Sequence, residues 1–314
     1  MDVSIIIINY KTPNLVIDCV ESIYEKTKNI NFEIIVVDNK SNDNSSFIIN
    51  NKLNNRIHYV QANKNLGFGK ANNLGASYAQ GDYLFLLNSD TILMNNAIKV
   101  LYDFISENEN VGIVGGNLFS KDFRPSSSYS LKFDDLNALI NNSKWSSIIK
   151  KRFASSRFGH QKKLEEDFNN SEICKKVEYI FGTDLMIKKD LFMAINGFDP
   201  EFFMYAEEQD LCFRVKELGF DIYSQPKANI VHLDGASTKE ENEFSDKTFK
   251  MRLHGGFIYY KKRYGDEGLK LYYKYRLKNI NRNLFIAKLF FKKKLYAYFS
   301  IQKKCLQEVY SNLK

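Results

Sequence analysis

The 314-residue sequence has few of the residues that mark fibrous, low-complexity or disulfide-bonded proteins. Only 4 Pro and 16 Gly occur, which excludes a collagen-like chain and a long flexible linker. The cysteines, Cys19, Cys174, Cys212 and Cys305, are far apart and form no CxxC pair. A structural zinc site or a disulfide framework is therefore not expected, and the pattern favours reduced thiols.

Long apolar runs are also missing. No run approaches the roughly 18 residues that a membrane-spanning helix needs. The first residues lead into VSIIIIN, which is too short for a signal-peptide core and has no basic residue before it. We therefore expect a cytoplasmic protein. The chain length and the 44% hydrophobic content allow one large domain or two modest ones.

Charge is unevenly distributed along the chain. The formal net charge is +8, but residues 258–314 hold 15 Lys and Arg against 3 Asp and Glu, a net charge of +12. Residues 1–257 therefore carry a net charge of −4. Because 13 Tyr and Phe are interleaved with its basic residues, this tail suits an anionic membrane surface, nucleic acid or an acidic partner.

Buried-strand patterns alternate with helical periods along the first third of the chain. The apolar runs are VSIIIIN (3–9), FEIIVVD (32–38), IHYVQA (57–62), YLFLLN (83–88) and VGIVGG (111–116). Continuous runs of this kind are typical of strands buried on both faces. The alternation predicts an α/β fold with a doubly wound, mostly parallel, Rossmann-like sheet.

The same patterns predict the domain boundaries. Residues 1–243 would form one α/β domain, and 244–314 a basic helical extension. The first domain would be divided into 1–118, a variable insertion at 119–176, and 177–243.

Two of the predicted strands lead into acidic residues. Asp38 closes FEIIVVD, and Asp90 follows YLFLLN. Ligands of open parallel sheets bind at the carboxyl ends of the strands, so the two carboxylates indicate a site. Either Asp alone is equally well explained as a helix cap or a turn residue.

YAEEQDLCFRVKELG (205–219) predicts a helix with one buried apolar face. That face would consist of Leu211, Cys212, Val215 and Leu218. Glu207 and Glu208 lie one turn earlier and can both point inward. Asp210 and Arg214, at i and i+4, are predicted to form a structural ion pair.

Six sequence pieces occur in order and at characteristic spacing. They are VSIIIINYKTPNLVIDCVESI, IIVVDNKSND, NKNLGFGKANNLG, FLLNSD, NGFDPEFFMYAEEQDLCFR and HLDGAS. Together they resemble the family 2 glycosyltransferases of the GT-A fold, in particular the bacterial rhamnosyltransferase-like branch. The resemblance covers residues 3–235, with nothing contributed by 120–175. It implies that 1–118 is the nucleotide-binding half of a catalytic domain and that 177–243 is its acceptor-binding, catalytic half.

The resemblance implies a set of donor-binding residues. Asp38 would accept a hydrogen bond from the imide N–H of uracil or thymine, which cytosine lacks at that ring position. The other implied donor contacts are Asn9, Tyr10, Asn65, Lys70, Asn88 and Ser89. Asn73 could also contact the donor. Asn65, Lys70 and Asn73 flank or lie in a helix, so a role in helix packing is an equal alternative to donor binding for these three residues.

The resemblance also implies a metal site and a base. NSD (88–90) resembles an Asp-x-Asp motif that holds Mg²⁺ or Mn²⁺ on the donor diphosphate, with Asp90 as the anionic ligand. His232 would approach the metal, and a purely structural histidine is the alternative. The base of the family is the second acid of the pair, here Glu208. Relatives often carry Asp there, and the longer Glu side chain keeps Glu207 as the alternative.

The implied reaction is inverting, metal-dependent transfer of a hexose from dTDP-rhamnose to a hydroxyl of a glycan or lipid-linked acceptor, in cell-surface polysaccharide synthesis. UDP-galactofuranose, UDP-glucose and UDP-galactose are alternative donors. A nucleotidyltransferase would be expected to carry an N-terminal glycine-rich phosphate loop, which IIIINYKTPN lacks. A nucleic-acid-binding protein is disfavoured because the tail has no recognised binding motif.

The tail has its own expectation. We expect 258–314 to dock on the anionic inner face of the cytoplasmic membrane, through basic charge and aromatic side chains. The alternatives are that its helices pack on the catalytic domain or form a homodimer.

Overall fold

The computed structural model of the chain describes residues 1–135, 173–233 and 246–313. Contacts divide the chain into two units. Unit 1 comprises Met1–Phe133, Lys163–Phe203 and Glu207–Glu240, and unit 2 comprises Asp134–Lys162, Met204–Ala206 and Glu241–Lys314. Most of the predicted insertion lies outside the described residues, and the functional assignment of the two halves of 1–243 stays a prediction.

The apolar runs form strands in unit 1. β1 (Val3–Asn9), β2 (Phe32–Asp38) and β4 (Tyr83–Asn88) have the bounds that the sequence predicts. β3 is shorter than predicted, and β6 is longer. The remaining bounds are β3 His58–Gln61, β5 Thr91–Leu93, β6 Val111–Phe119, β7 Tyr129–Ser130, β8 Lys175–Val177, β9 Tyr179–Ile180, β10 Asp184–Lys188 and β11 Asp221–His232.

In the described part of the chain, every strand but β7 and β9 joins one sheet, in the order β3-β2-β1-β4-β10-β6-β11-β5, with β8 paired to β11. β3, β2, β1 and β4 run parallel to one another, and β6 runs parallel to β11. β10 runs antiparallel between β4 and β6. The mostly parallel α/β sheet is therefore confirmed, and the antiparallel β10 is a feature that the sequence pattern does not predict.

Helices cover both faces of the sheet. Their bounds are α1 Pro13–Lys26, α2 Ser45–Leu53, a 3-10 turn Asn54–Arg56, α3 Phe68–Tyr78, α4 Ala97–Glu107, α5 Lys189–Ala194 and α6 Glu207–Glu217. α1, α2 and α4 pack in one apolar core with Ile5 and Ile7 of β1, whereas α3, α5 and α6 pack in the other with Ile6. This alternation of β1 side chains is the period of a strand buried on both faces.

The predicted face of α6 is correct except at one position. Leu211, Cys212 and Val215 are buried, and Arg214 Nε donates to Asp210 Oδ2 at 2.7 Å as expected. Leu218 was predicted to be buried, but it is 55% exposed. The helix ends at Glu217, so Leu218 lies in the turn that follows and is not carried onto the buried face.

β11 is a single strand although Pro226 interrupts its apolar pattern. The pairing with β6 is irregular between Ser224 and Asn229, and a proline is tolerated at such a bulge. The continuous strand carries His232 to the carboxyl edge of the sheet.

Unit 2 confirms the helical C-terminal region. α7 (Asp246–Leu289) is kinked at Gly265, where φ is 62° and ψ is −157°, and α8 (Lys293–Leu313) returns along it. Tyr273 and Tyr310 stack with ring centroids 4.0 Å apart between these helices. Across the described ranges, no helix has the length and apolar character needed to cross a bilayer.

Candidate active site

The carboxylate of Asp38 is fixed at the carboxyl end of β2. Oδ1 accepts hydrogen bonds from the Ser41 N–H at 2.8 Å and from Gln61 Nε2 at 3.0 Å, and Oδ2 accepts one from Asn9 Nδ2 at 2.8 Å. Burial acts to raise the pKa of Asp38, but these hydrogen bonds outweigh it and lower the pKa below its ordinary value. The ionised carboxylate is oriented, and Oδ2 keeps capacity for a further donor.

The neighbours of Asp38 come from β1 and β3. Asn9 is fully buried and its Oδ1 accepts the Thr12 N–H at 3.2 Å, so the amide group is held in one orientation. Gln61 lies opposite Asp38 in the β2–β3 register. Ser41 and Gln61 were missed by sequence reasoning. Gln61 is brought to the Asp38 carboxylate only by the register of β2 and β3. Tyr10, which follows Asn9, is 39% exposed.

The glycine-rich loop is organised by side-chain amides. Asn65 Oδ1 accepts the Gly67 N–H at 2.9 Å and Asn39 Nδ2 at 3.1 Å. Gly67 has a φ of 79°, and a Cβ there would collide with the Phe203 carbonyl oxygen. Only glycine fits both constraints at the start of α3. Asn65 therefore shapes this loop beside Asp38.

Lys70 and Asn73 hold the segment before α6. Lys70 Nζ donates to the Pro200 carbonyl at 3.0 Å. Asn73 Nδ2 donates to the Phe198 carbonyl at 2.8 Å, and its Oδ1 accepts the Phe198 N–H at 2.9 Å. These bonds correspond to the packing alternative for both residues.

Asp90 and His232 meet at the carboxyl edge of the sheet. Their Oδ1 and Nε2 atoms are 3.3 Å apart, and the two side chains are 2% and 17% exposed. The antiparallel pairing of β5 with β11 sets Thr91 opposite His232, and the Leu233 N–H donates to the Asp90 carbonyl at 2.9 Å. Backbone pairing thus determines where the imidazole lies.

The residues before Asp90 complete this corner. Asn88 ends β4, and its carbonyl accepts the Thr91 hydroxyl at 2.7 Å. Ser89 is 6% exposed, with its hydroxyl oxygen 3.4 Å from that of Thr12. Buried Cys19 packs Sγ at 3.5 Å from the Thr91 hydroxyl oxygen. The turn that carries Asp90 is therefore in contact with Thr12 through Ser89 and with Cys19 through Thr91.

The side chains of this corner fit a divalent ion that takes some of its ligands from the protein and the others from the substrate. No group of three or more His, Cys, Asp or Glu in the described ranges could by itself hold a metal. Asp90 supplies a carboxylate oxygen and His232 an imidazole, and Mg²⁺ or Mn²⁺ commonly takes few protein ligands, with phosphate oxygens and water completing the sphere. The two residues match such a site.

Two adjacent carboxyl groups begin α6. Glu207 is 3% exposed, and its Oε2 has no hydrogen-bond partner among the described residues. Burial raises the pKa of Glu207, and repulsion from Glu208 raises it further; burial also raises the pKa of Glu208. Both groups thus hold a proton more readily than an ordinary glutamate.

Glu208 lies beside Gly182, in the segment between β9 and β10. The next residue of that segment, Thr183, accepts the Asn88 N–H at 2.9 Å and so connects it to the end of β4. The turn before α6 is strained, because Tyr205 and Ala206 have φ values of 74° and 71°.

A further buried carboxyl group, that of Asp184, was missed by sequence reasoning. Asp184 is fully buried, its Oδ2 accepts the Gly116 N–H at 2.5 Å, and its Oδ1 has no hydrogen-bond partner in the described ranges. Burial raises the pKa of Asp184 to about 7, although the Gly116 hydrogen bond and the nearby His232 lower it in part. The available signal was an acidic residue at the start of the apolar run DLMI.

The chain is similar in sequence to known glycosyltransferases. Residues 4–192, more than half of the chain, match the family model described as glycosyl transferase family 2. The glycosyltransferase GlyG of Streptococcus pneumoniae is 34% identical over 122 residues, which are 38% of this chain and 40% of that protein. The rhamnosyltransferase WbbL of Escherichia coli is 25% identical over 202 residues, 62% of this chain and 69% of that one.

Two further comparisons extend these matches. A hexosyltransferase of low-salt glycan biosynthesis from Haloferax volcanii is 24% identical over 74% of this chain and 67% of its own length. The crystal structure of GalNAc-T7 with UDP, GalNAc and Mn²⁺ superposes with a TM-score of 0.54 at 14% identity, over 88% of this chain and 54% of that one. That likeness confirms the GT-A fold. The chain thus spans less than half of GlyG and about half of the GalNAc-T7 chain.

Proposed function

The chain belongs to the family 2 glycosyltransferases, and from this we propose that it is an inverting, metal-dependent enzyme that transfers a sugar from a nucleoside diphosphate to a hydroxyl group. The proposed donor is dTDP-rhamnose, which the similarity to a rhamnosyltransferase supports. The proposed acceptor is a glycan or lipid-linked glycan of a cell-surface polysaccharide. UDP-galactofuranose, UDP-glucose and UDP-galactose are the alternative donors.

One observation carries the proposal. Asp90 and His232 lie 3.3 Å apart at the carboxyl edge of the sheet, and Glu208 lies beside the segment that hydrogen-bonds to the end of β4. The proposed diphosphate-binding corner and a partly buried carboxyl group are thus both near the end of β4. Transfer of a glycosyl group needs both, one to receive the departing charge and one to take the acceptor proton.

Asp38 would select the base of the donor. Its carboxylate is ionised, oriented by Asn9 and Ser41, and has capacity for one more hydrogen bond on Oδ2. The imide N–H of thymine or uracil is a suitable donor to that oxygen, whereas cytosine offers an acceptor at this position. The tightly bonded surroundings of Asp38 support this role.

Asp90 and His232 would hold the metal ion, Mg²⁺ or Mn²⁺, together with the donor diphosphate. When bound, the ion neutralises the charge of the leaving nucleoside diphosphate. Through that ion, the two residues would hold the diphosphate near the end of β4. The presence of Mn²⁺ and UDP in the GalNAc-T7 structure supports use of a divalent ion by this fold.

Glu208 would act as the general base. It takes the proton of the acceptor hydroxyl as the oxygen bonds to the anomeric carbon, and the bond from that carbon to the diphosphate breaks on the opposite face. The raised pKa of Glu208 makes its carboxylate a stronger proton acceptor than that of an ordinary glutamate. Glu207, whose pKa is raised by burial and by repulsion from Glu208, is the alternative base.

A donor panel tests the proposed function. The purified chain would be incubated with dTDP-rhamnose, UDP-galactofuranose, UDP-glucose, UDP-galactose and CDP-glucose, each with Mg²⁺ or Mn²⁺ and with chelator. We expect release of dTDP, or of UDP for an alternative donor, in the presence of metal and no release of CDP. Release of CDP as fast as that of dTDP or UDP would overturn base selection at Asp38, and release in chelator would overturn the metal role.

A further inference from the structure

The end of the α7–α8 pair, residues 285–297, exposes apolar side chains to an unusual degree; we name it the hairpin tip. Every residue in it except Ala287 is exposed. Phe291 is 90% exposed, and the other large apolar residues are Phe285 66%, Phe290 63%, Leu289 59%, Leu295 43% and Ile286 41%. Elsewhere in unit 2 aromatic rings pack together, as Phe257 and Tyr272 do at 5.0 Å. The aromatic residues of the tail thus fall into a packed set and an exposed set.

The backbone at the hairpin tip is arranged around Phe291. The Lys292 N–H donates to the Ala287 carbonyl at 2.8 Å, and the Phe291 N–H donates to the Lys288 carbonyl at 3.2 Å. This is the pattern that ends many helices with a left-handed residue, usually glycine. Phe291 has a φ of 52°, which is unfavourable for a bulky side chain. Its ring is almost wholly exposed, so packing within the fold does not offset the strain.

The charge of the hairpin tip has one sign. Lys288, Lys292, Lys293 and Lys294 lie among the exposed apolar residues. No Asp or Glu occurs in the sequence between Glu267 and Glu308. The surface therefore combines exposed phenylalanines with uncompensated positive charge.

We propose that the hairpin tip docks on an anionic phospholipid bilayer, with its phenylalanines in the interfacial region and its lysines on the lipid phosphates. Exposed apolar side chains lose contact with water there, and lysines are attracted by the negative surface potential. A second copy of the chain is a poorer occupant, because two tips of charge +4 would repel each other. Nucleic acid would leave Leu289 and Ile286 in water, since aliphatic side chains do not stack on bases.

This inference extends the proposed function, because a lipid-linked acceptor would be presented at the same kind of surface. The two can fail separately. Vesicle binding is measured without a sugar donor, and release of nucleoside diphosphate is measured without vesicles.

Vesicle co-sedimentation of the full chain tests the inference. The probes are phosphatidylcholine vesicles with and without phosphatidylglycerol, at low and high salt. We expect binding only to the anionic vesicles, weakened by salt. Substituting Lys292, Lys293 and Lys294 by Gln should lower the partition coefficient about fivefold for each lysine.

The variant Phe291→Gly separates docking from a structural role. Glycine relieves the positive φ, so the melting temperature should stay the same or rise while binding to anionic vesicles falls several-fold. Phe123 is the matched control, because it is 66% exposed, has a φ of 56° and lies in unit 1. Phe123→Gly should leave vesicle binding unchanged.

A charge-matched control completes the design. Substituting the exposed residues Lys28, Lys52 and Lys121 of unit 1 by Gln removes the same charge outside the tip and should have a much smaller effect. Equal loss in both triple variants would overturn the assignment to the hairpin tip. Absent or equal binding to both vesicle types would overturn docking itself. Docking would also be overturned if Phe291→Gly abolished self-association in the ultracentrifuge and left vesicle binding unaffected. The same holds if Phe291→Gly abolished oligonucleotide binding and left vesicle binding unaffected.

Discussion

The Nε2 atom of His232 lies 3.3 Å from Oδ1 of Asp90, although one residue ends β11 and the other follows β4. A carboxylate and an imidazole at this distance can share a divalent ion with the oxygens of a diphosphate. Substitutions at Asp90 and His232 therefore test whether a metal ion activates the donor.

Asp90→Asn should reduce metal-dependent release of nucleoside diphosphate by about a hundredfold or more, because the charge that would hold the ion is lost. His232→Gln should weaken Mn²⁺ binding in the presence of dTDP or UDP, measured by calorimetry. Asp103→Asn, at a surface ion pair with Lys99, is the control and should be near wild type. Unchanged metal affinity in both site variants would remove them from the metal site.

Asp38→Asn should weaken binding of dTDP and UDP by roughly tenfold to a hundredfold, since a charge-assisted hydrogen bond is worth about 1.5–3 kcal/mol. The substitution should also reduce the ratio of the affinity for dTDP or UDP to the affinity for CDP. Asp43→Asn, an exposed residue of the same loop, is the matched control. Because the new amide would face the Asn9 amide, thermal stability must be measured alongside. A folded Asp38→Asn variant with wild-type preference for dTDP would contradict base selection.

The sequence was sufficient for the strands that carry this site and insufficient for their partners. β1, β2 and β4 are continuous apolar runs, so their bounds follow from local pattern. The hydrogen bond from Gln61 to Asp38 depends on the β2–β3 register, and the contact of His232 with Asp90 depends on the β5–β11 pairing. Neither long-range pairing leaves a local signal.

Two other differences have the same kind of cause. DLMIK (184–188) is a short, largely apolar run, but its antiparallel position between β4 and β6 is a property of the topology and leaves no local signal. Leu218 continues the apolar period of α6, yet the helix ends one residue before it. A periodic pattern predicts which face is buried only while the helix lasts.

Glu208→Gln should preserve donor binding and lower transfer by about 10²–10⁴, because the amide keeps the shape but cannot accept a proton. Glu207→Gln is the neighbouring comparison and should retain more activity. Donor affinity is measured by calorimetry and transfer by release of nucleoside diphosphate. If Glu207→Gln is inactive while Glu208→Gln turns over, the role of base moves to Glu207.

Asp184 should make stability depend on pH. Its pKa is raised from 3.8 to about 7 in the folded protein, so between these values the unfolded chain has released a proton that the folded chain keeps. The free energy of unfolding should therefore fall as pH rises through this window, by about 1.4 kcal/mol per pH unit from this group alone.

Asp184→Asn removes that contribution. Denaturant titrations at pH 5 and pH 7 should show that the stability of the variant relative to wild type increases with pH. Asp190→Asn, at an exposed position, should show no such change relative to wild type. An unchanged difference between wild type and Asp184→Asn at the two pH values would contradict the assignment.

The stereochemistry of transfer tests the central claim most directly. The chain would be incubated with Mn²⁺ and the nucleotide sugar that it turns over in the donor panel, and the first-formed free or transferred sugar would be followed by proton NMR before mutarotation. A single displacement assisted by Glu208 predicts an anomeric configuration opposite to that of the donor, absent in the Glu208→Gln variant. Retention of the donor configuration, or no sugar released from any nucleotide donor, would contradict the account.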